Sequence, residues 1–521
     1  MPQRLNTTSA IEAARSTISE LIATHPEWFC TAGGETTYAV GRDELELSIA
    51  NSRLLLNSWT ENGSRVWKIY SWEWSGEKLL LHASRRMGAE RPVIELVPRA
   101  SAAALALTVR TARQARCDRL AELACTIGPR LRVERSSLSP GPRRGQPGPY
   151  ARIVLWQKNR RIAVTGNVVP ARASDTDAFL ASALLWFKRT SERSRAPYID
   201  SLWLVLEGPI VKPLIQRIAL LRQNLRGLIK VYEVDRELIE VSQIEIPARK
   251  DLWKKRLARF PPVTPHEPGE LTNRIVSMAP CAIDVVHARH GKTLRYHGLP
   301  FARIRQVLGC ERAWFGLEGG RRRLLEESSE NEWQQLIEKL LEHRSANAVD
   351  RYHALYRNAG EAWLESLLRR DITRLDPGLI IAPLYAQFRI SRAGVPGVRP
   401  IDLLALRRDG RLTVIELKIF ESREHVLQGV DYWQRVESHR RRGNIARTRL
   451  FGDRKIKNEP PLIYLVAPTL RVHPSLTTIA HAIAPDLEIY RFDINEDWRG
   501  GVRVMRRIRI NGGLDQQSNW L

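Results

Sequence analysis

The chain has 521 residues, 43% of them apolar, and its 82 Lys and Arg against 57 Asp and Glu leave a formal charge of +25. That length exceeds a single hydrophobic core and predicts two to four domains, while the apolar fraction excludes extensive disorder. The charge favours a polyanionic partner, nucleic acid foremost; it is spread along the chain and lacks the compact basic helix or tail of a protein that binds membrane surfaces.

No stretch approaches the roughly 20 apolar residues of a membrane span. The longest candidate, 215–221, is interrupted by Arg217. The start, MPQRLNTTSAIEAARS, has no apolar block behind a basic head, so a cytoplasmic location and no membrane partner are expected. The five cysteines form no CxxC pair and read as reduced thiols rather than zinc ligands.

In chain order, residues 1–100 read as a small β-rich module: a helix at 9–24, then alternating runs at 44–50, 52–58, 66–74 and 78–83. The aromatic run 67–74 suits either stacking on bases or, more simply, packing a small sheet. Residues 101–124 have helical spacing, and 136–150 (SSLSPGPRRGQPGPY) reads as a Pro/Gly loop. Strands at 151–155 and 162–169, a helix at 177–189, a strand at 201–206, a helix at 211–224 and a strand at 228–233 predict an α/β layer over 101–245. A basic, Pro-bearing stretch at 246–268 reads as a linker. It opens a second β-rich and helical module over 246–350, with strand-like segments at 274–291 and 303–316 and a helix at 331–343. Another helix is expected at 352–369. The α/β pattern then resumes over 351–521: strands 401–406 and 412–417, helix 424–441, strand 462–467, helix 474–484 and strand 487–492.

The segment RPIDLLALRRDGRLTVIELK (399–418) carries the chemistry. Asp402 opens one strand, Asp409-Gly410 is a two-residue hairpin signal, and the next strand is apolar except for Glu416 and then Lys418. Side chains alternate along a strand, so Glu416 and Lys418 share a face while Leu417 enters the core. A carboxylate and an ammonium in such a strand are costly unless they meet a partner or a metal. Two carboxylates on adjacent antiparallel strands can converge on a hard divalent cation, which polarises a phosphodiester and acidifies an attacking water. The ammonium can orient that water or offset charge on the phosphate.

This pattern, with Pro400, Asp402 and Glu416-Leu417-Lys418, resembles the PD-(D/E)XK nuclease superfamily, with Ile401 standing between the proline and the aspartate. A following helix with Gln428 and Tyr432 resembles NucS-type and RecB-like members, and EAWLESLLRR (361–370) offers Glu361 or Glu365 as the upstream helical glutamate. Glu365 is favoured because Leu364, Leu367 and Leu368 anchor that face. The resemblance spans about residues 355 to 495. It implies that Asp402, Glu416 and the carbonyl of Leu417 hold Mg²⁺ or Mn²⁺ and that Lys418 positions the water. It further implies that Glu365 assists through water or a second metal and that Gln428 and Tyr432 shape the site or contact the phosphate.

The two α/β blocks match in apolar pattern, which suggests an internal duplication. Residues 151–169 lie against 401–419 at an ungapped offset of 250, and 202–221 against 462–481 at an offset of 260. Arg152 then faces Asp402, Gly166 faces Glu416, Val168 faces Lys418 and Ala178 faces Gln428, so the first copy is degenerate. The fold expected is α/β, a restriction-endonuclease-like core of mixed sheet flanked by helices, with a degenerate copy in the N-terminal half and smaller β-rich lead segments. The function expected is metal-dependent endonucleolytic hydrolysis of DNA in repair, restriction or defence against foreign DNA. RNA is compatible with the same chemistry. A homodimer would supply double-strand cleavage, and the absence of a GxxxxGK[ST] loop assigns any ATPase to a separate partner. The competing reading is a non-catalytic DNA-binding or assembly protein on a nuclease-like scaffold. The arginine-rich run 439–457 is read as a phosphate clamp or a solvated loop, and the nearest His pair, His287 and His290, lacks an acidic partner for zinc.

Overall fold

The computed structural model describes residues 3–32, 38–60, 63–75, 78–84, 91–98, 102–141, 146–193, 198–253, 269–288, 291–307, 310–317, 322–382 and 401–512. Pro400 and His290 lie outside them. Among the described residues the protein is mixed α/β with four sheets. An antiparallel sheet of eight strands, with the helix Thr8–Ala23 packed on it, occupies the first 98 residues. Trp67 and Trp72 are buried in its core, so the aromatic run packs the sheet.

A six-stranded mixed sheet follows. Helix α1 (Ala102–Thr126) leads to strands β1 (Arg132–Pro140), β2 (Pro147–Gln157) and β3 (Arg160–Asn167), then to α2 (Thr176–Arg193), β4 (Ile199–Glu207), α3 (Gly208–Ile218), β5 (Ile229–Val234) and β6 (Val241–Ile244). The order is β6-β5-β4-β3-β2-β1, with β3, β4 and β5 parallel and the other pairs antiparallel. Residues 136–150 are therefore mostly strand, not loop. Pro140 and Pro147 sit opposite each other at the mouth of the hairpin, where a missing N–H costs no ladder bond.

A five-stranded antiparallel sheet spans Ile283–Ala288 to Arg323–Leu324, covered by helices Glu270–Ser277 and Glu330–His343. The expected strand at 274–291 thus begins as helix, because Leu271, Ile275 and Val276 turn one apolar stripe onto this core. Within 246–268 the described part is one helical turn, Arg249–Trp253, and its Trp253 ring meets Trp433 at 6.0 Å.

The second mixed sheet has the same strand order as the first. Helix α4 (Gly360–Arg370) leads to β7 (Leu379–Ile381), β8 (Leu403–Arg407) and β9 (Leu412–Leu417), then to α5 (His425–Arg441), β10 (Leu462–Pro468), α6 (Leu476–Ala482), β11 (Ile489–Ile494) and β12 (Val504–Arg509). The order is β7-β8-β9-β10-β11-β12, again with the three middle strands parallel and the rest antiparallel. The helix expected at 352–369 is broken into Ala354–Arg357 and α4. Ala359 takes a left-handed φ of 50°, and the buried Arg344 guanidinium collects the carbonyls of Leu355, Asn358 and Ala359 at the break.

In each sheet one face carries the preceding helix: α1 packs with Ile153, Val164 and Val205, and α4 with Leu403, Ile415 and Tyr464. The opposite faces meet through α2, α3, α5 and α6 in one shared core. Leu221 and Ile483 form an antiparallel bridge there, with Arg222 N donating to Ala482 O (2.9 Å) and Ala484 N to Leu220 O (3.0 Å). This crossing ends the helix expected at 211–224 at Ile218. Arg217, almost fully buried, ties the halves: it bonds Asp177 Oδ1 (3.1 Å) on α2, and Gln434 Oε1 (3.1 Å) and Asp431 on α5.

The turns differ by one residue. Gln157 and Arg160 flank two residues, whereas Arg407 and Arg411 flank three, Arg408-Asp409-Gly410, closed by Arg407 N to Arg411 O (2.9 Å) with Gly410 at φ +84°. The turn after β8 is accordingly a three-residue loop rather than the two-residue turn read from Asp409-Gly410. Matching these flanks gives an offset of 250 from Gln157 to Arg407 but 251 from Arg160 to Arg411. The counterparts of Glu416 and Lys418 are then Thr165 and Asn167, not Gly166 and Val168, and Arg152 remains opposite Asp402.

Candidate active site

Strand β9 is buried along its whole length, and Glu416 within it is 1% exposed. The β8–β9 ladder pairs Leu403 with Ile415, so one further step brings Asp402 beside Glu416. There the side chain takes over from the backbone, because Asp402 Oδ2 accepts the N–H of Leu417 (2.8 Å). Lys418 returns to the same face: its Nζ lies 2.8 Å from Glu416 Oε1, 3.1 Å from the carbonyl of Leu417 and 3.4 Å from Glu361 Oε2. Among the described residues Glu416 Oε2 has no hydrogen-bond donor.

The electrostatics follow from this crowding. Asp402 as a residue is half-buried, yet its carboxyl is enclosed; that burial, then the neighbouring Glu416 charge, holds it well above the usual carboxylate range against the opposing Lys418 and Leu417 N–H. Burial also raises Glu416, opposed by the charge and hydrogen bond of Lys418. Lys418 sits above its ordinary value: burial opposes its charge, but Glu416, Glu361 and Asp402 outweigh that. With both carboxyls ionised, the single ammonium of Lys418 would leave the cluster short of positive charge.

Helix α5 closes the site. Gly429 permits the approach, since a Cβ there would meet Leu465 at 2.9 Å and Ile463 at 3.0 Å, with Glu416 Cβ at 4.0 Å. His425, in the first turn of α5, places Nε2 3.2 Å from the carbonyl of Glu416. Burial, with Lys418 nearby, lowers its pKa to about 3, so the ring is neutral. No sequence signal singled it out.

The other expected residues divide. Glu361, not Glu365, touches Lys418. Glu365 holds Arg369 (2.8 Å), with Arg295 3.9 Å away; Arg369 in turn donates to the carbonyls of Asp402 (3.0 Å) and Ala382 (3.1 Å). Glu365 thereby fixes the backbone of Asp402 without entering the cluster. Gln428 is buried; its Nε2 donates to Glu424 (3.0 Å) and, among the described residues, its Oε1 has no donor. Tyr432 lies in the core beside Leu404 and Leu406, its ring 5.1 Å from the Arg435 guanidinium, so its place is to shape the site wall. In the 439–457 run, Arg440 and Arg441 pair with the buried Glu437 (2.6 Å each), and Arg442 donates to the carbonyl of Trp253 (2.8 Å). These three arginines staple the structure rather than await phosphate.

Among the described residues no group of three or more His, Cys, Asp or Glu side chains could hold a metal ion. The oxygens on offer are the two carboxylates and the Leu417 carbonyl. That donor set fits a hard cation that keeps several waters, and the orphaned Glu416 Oε2 marks where such a charge is wanting. Among the described residues no helix is long and apolar enough to cross a membrane. No family model, curated protein or solved structure matches the chain.

Proposed function

We propose that the second half of this chain is a divalent-cation-dependent endonuclease of the PD-(D/E)XK type acting on DNA, and that the first half is a degenerate copy of it. The observation that carries the reading is Glu416: a nearly inaccessible carboxylate with one oxygen on Lys418 and the other without a donor, beside Asp402. A buried charge in that state is costly unless something compensates it. Mg²⁺ or Mn²⁺ on Asp402, Glu416 and the Leu417 carbonyl would polarise a phosphodiester and acidify the water that attacks it.

The remaining work falls to the chain itself. Lys418 is held fully cationic, which suits it to orient the nucleophile and to offset charge on the phosphate. Glu361 steadies its ammonium from outside, Arg369 the backbone of Asp402, and His425 the carbonyl of Glu416. The mixed sheet with flanking helices supports the family resemblance, and the identical strand order of the two mixed sheets supports duplication. The charge of +25 supports nucleic acid as the polymer. The pathways in view are repair, restriction and defence against foreign DNA.

The test is cleavage of supercoiled plasmid with Mg²⁺, Mn²⁺ or EDTA, alongside Asp402→Ala and Lys418→Ala. Metal-dependent nicking lost in both variants is expected. Salt-sensitive binding without nicking would favour the non-catalytic scaffold, and stronger cleavage of single-stranded RNA would move the substrate from DNA to RNA.

A further inference from the structure

Helices Glu270–Ser277 and Glu330–His343 cover one face of the five-stranded sheet. Side chains alternate along its strands Leu299–Val307 and Cys310–Phe315. Ala302, Ile304, Ala313 and Phe315 enter the core, so Arg303, Arg305, Arg312 and Trp314 point the other way. The three arginines are exposed. Arg305 stands directly opposite Arg312 in the ladder, and Arg303 opposite Trp314. Like charges set opposite one another destabilise a sheet. Charge on an edge strand blocks pairing with another chain, but the strand of Arg303 and Arg305 is paired on both sides. Among the described residues none of the three arginines meets a carboxylate. Of the nearby acids, Glu311 enters the core and holds Lys292 (2.9 Å), and Asp284 is taken by Ser366 and by Arg370 (3.1 Å).

The same face adjoins the candidate active site through α4. Asp284 and Arg295 lie opposite each other on it, and both reach α4: Asp284 to Ser366 and Arg370, Arg295 to Glu365 at 3.9 Å. The turn after strand Gly291–Tyr296 locks this contact. His297 stacks on Trp363 at 5.0 Å, and Gly298, at φ +79°, leaves the room that the carbonyl of Ala362 fills. The buried Arg344 donates to the carbonyls of Tyr296 (3.0 Å), His297 (2.8 Å) and Ala359 (3.3 Å), so one guanidinium joins the sheet to the start of α4. Glu361, in the first turn of α4, touches Lys418.

Exposed arginines without acids among them attract a polyanion. We propose that Arg303, Arg305 and Arg312 bind the phosphate backbone of duplex DNA along this face and hold it so that a further phosphate reaches Lys418. This rests on the nuclease reading for the polymer only. Backbone contact suits a duplex, whose bases stay stacked; the ring of Trp314 is half-buried rather than laid open to an unstacked base. Such contacts fix position and register rather than sequence choice.

The test is equilibrium binding of labelled duplex and single-stranded DNA by the full chain in EDTA, which reads binding without hydrolysis. Arg303→Gln, Arg305→Gln and Arg312→Gln are each expected to weaken binding of every duplex sequence alike. Each should lower the slope of log affinity against log salt by about 1, and the triple variant by about 3. Arg305→Glu sets an acid opposite Arg312, so it should raise the Tm while weakening binding further, which separates lost affinity from lost folding. Wild-type affinity and slope in the triple variant would overturn the proposal. Losses seen with single-stranded DNA and not with duplex would overturn it too. Arginine-dependent duplex binding without any hydrolysis in Mg²⁺ would sink the nuclease reading and leave this one standing. Metal-dependent nicking with duplex binding indifferent to the arginines would sink this one alone, and a wild-type chain that binds no duplex would sink both.

Discussion

Lys418 Nζ stands 2.8 Å from Oε1 of Glu416, and together the two residues form a buried ion pair inside the wall of the second mixed sheet. Removing one member of such a pair leaves an uncompensated charge, which costs about 3–5 kcal/mol, whereas replacing both by apolar groups is close to neutral. Lys418→Met is therefore expected to destabilise the protein by about 3 kcal/mol, and the double variant Glu416→Leu/Lys418→Met to regain most of it. Denaturant midpoints check this. Two additive losses would mean that the pair is not coupled. Both variants should lose cleavage by on the order of 10²-fold or more.

Asp402 and Glu416 both titrate above the ordinary carboxylate range. In the folded, cation-free protein the Asp402 carboxyl foremost keeps protons that the unfolded chain has released, while Glu416 stays paired with Lys418, so the stability from this site falls as pH rises through the raised values. A divalent cation must displace those protons. The rise in Tm on adding Mg²⁺ should thus be larger at the higher of two pH values, and Asp402→Asn should abolish it. An equal rise at both pH values would place the cation elsewhere.

His425 and His439 behave in the opposite sense. Burial, helped by Lys418 and by Arg442 respectively, lowers their pKa values to about 3 and about 4. The unfolded chain takes up these protons near pH 6.5, so the stability they give is complete above that value and drains as pH falls towards 4, by about 1.4 kcal/mol per pH unit for each. His439→Gln should make the denaturant midpoint fall less steeply between about pH 6.5 and pH 5. A slope identical to wild type would assign the acid sensitivity to other groups.

Gly429 sets how closely α5 lies on β9 and β10. An added methyl would press on Leu465 at 2.9 Å and Ile463 at 3.0 Å. Overpacking of this kind costs about 1–3 kcal/mol, which exceeds the gain of about 1 kcal/mol from Gly to Ala in a helix. Gly429→Ala should lower the Tm and, by lifting His425 from the Glu416 carbonyl, reduce cleavage more than metal affinity. Full activity with raised Tm would show that the helix has room to spare.

Much of this protein is written locally. The alternation around Glu416 and Lys418, the apolar strand that carries them and the helix over 425–441 follow from side-chain period alone, and they put the carboxylate and the ammonium on one face. The likeness of the two α/β blocks was equally legible, because both carry the same apolar period. Its register slipped by one residue after the turn, since Asp409-Gly410 gives the place of a reversal and not its length. The tertiary structure alone decided the partners. Glu361 and Glu365 stand one helical turn apart, and the choice between them depends on where α4 starts, which the distant Arg344 fixes at Ala359. His425 on the Glu416 carbonyl and Arg217 between Asp177 and Asp431 likewise join residues from separate elements. A periodic pattern tells which face a residue occupies, but only the packing of whole elements determines what that face meets.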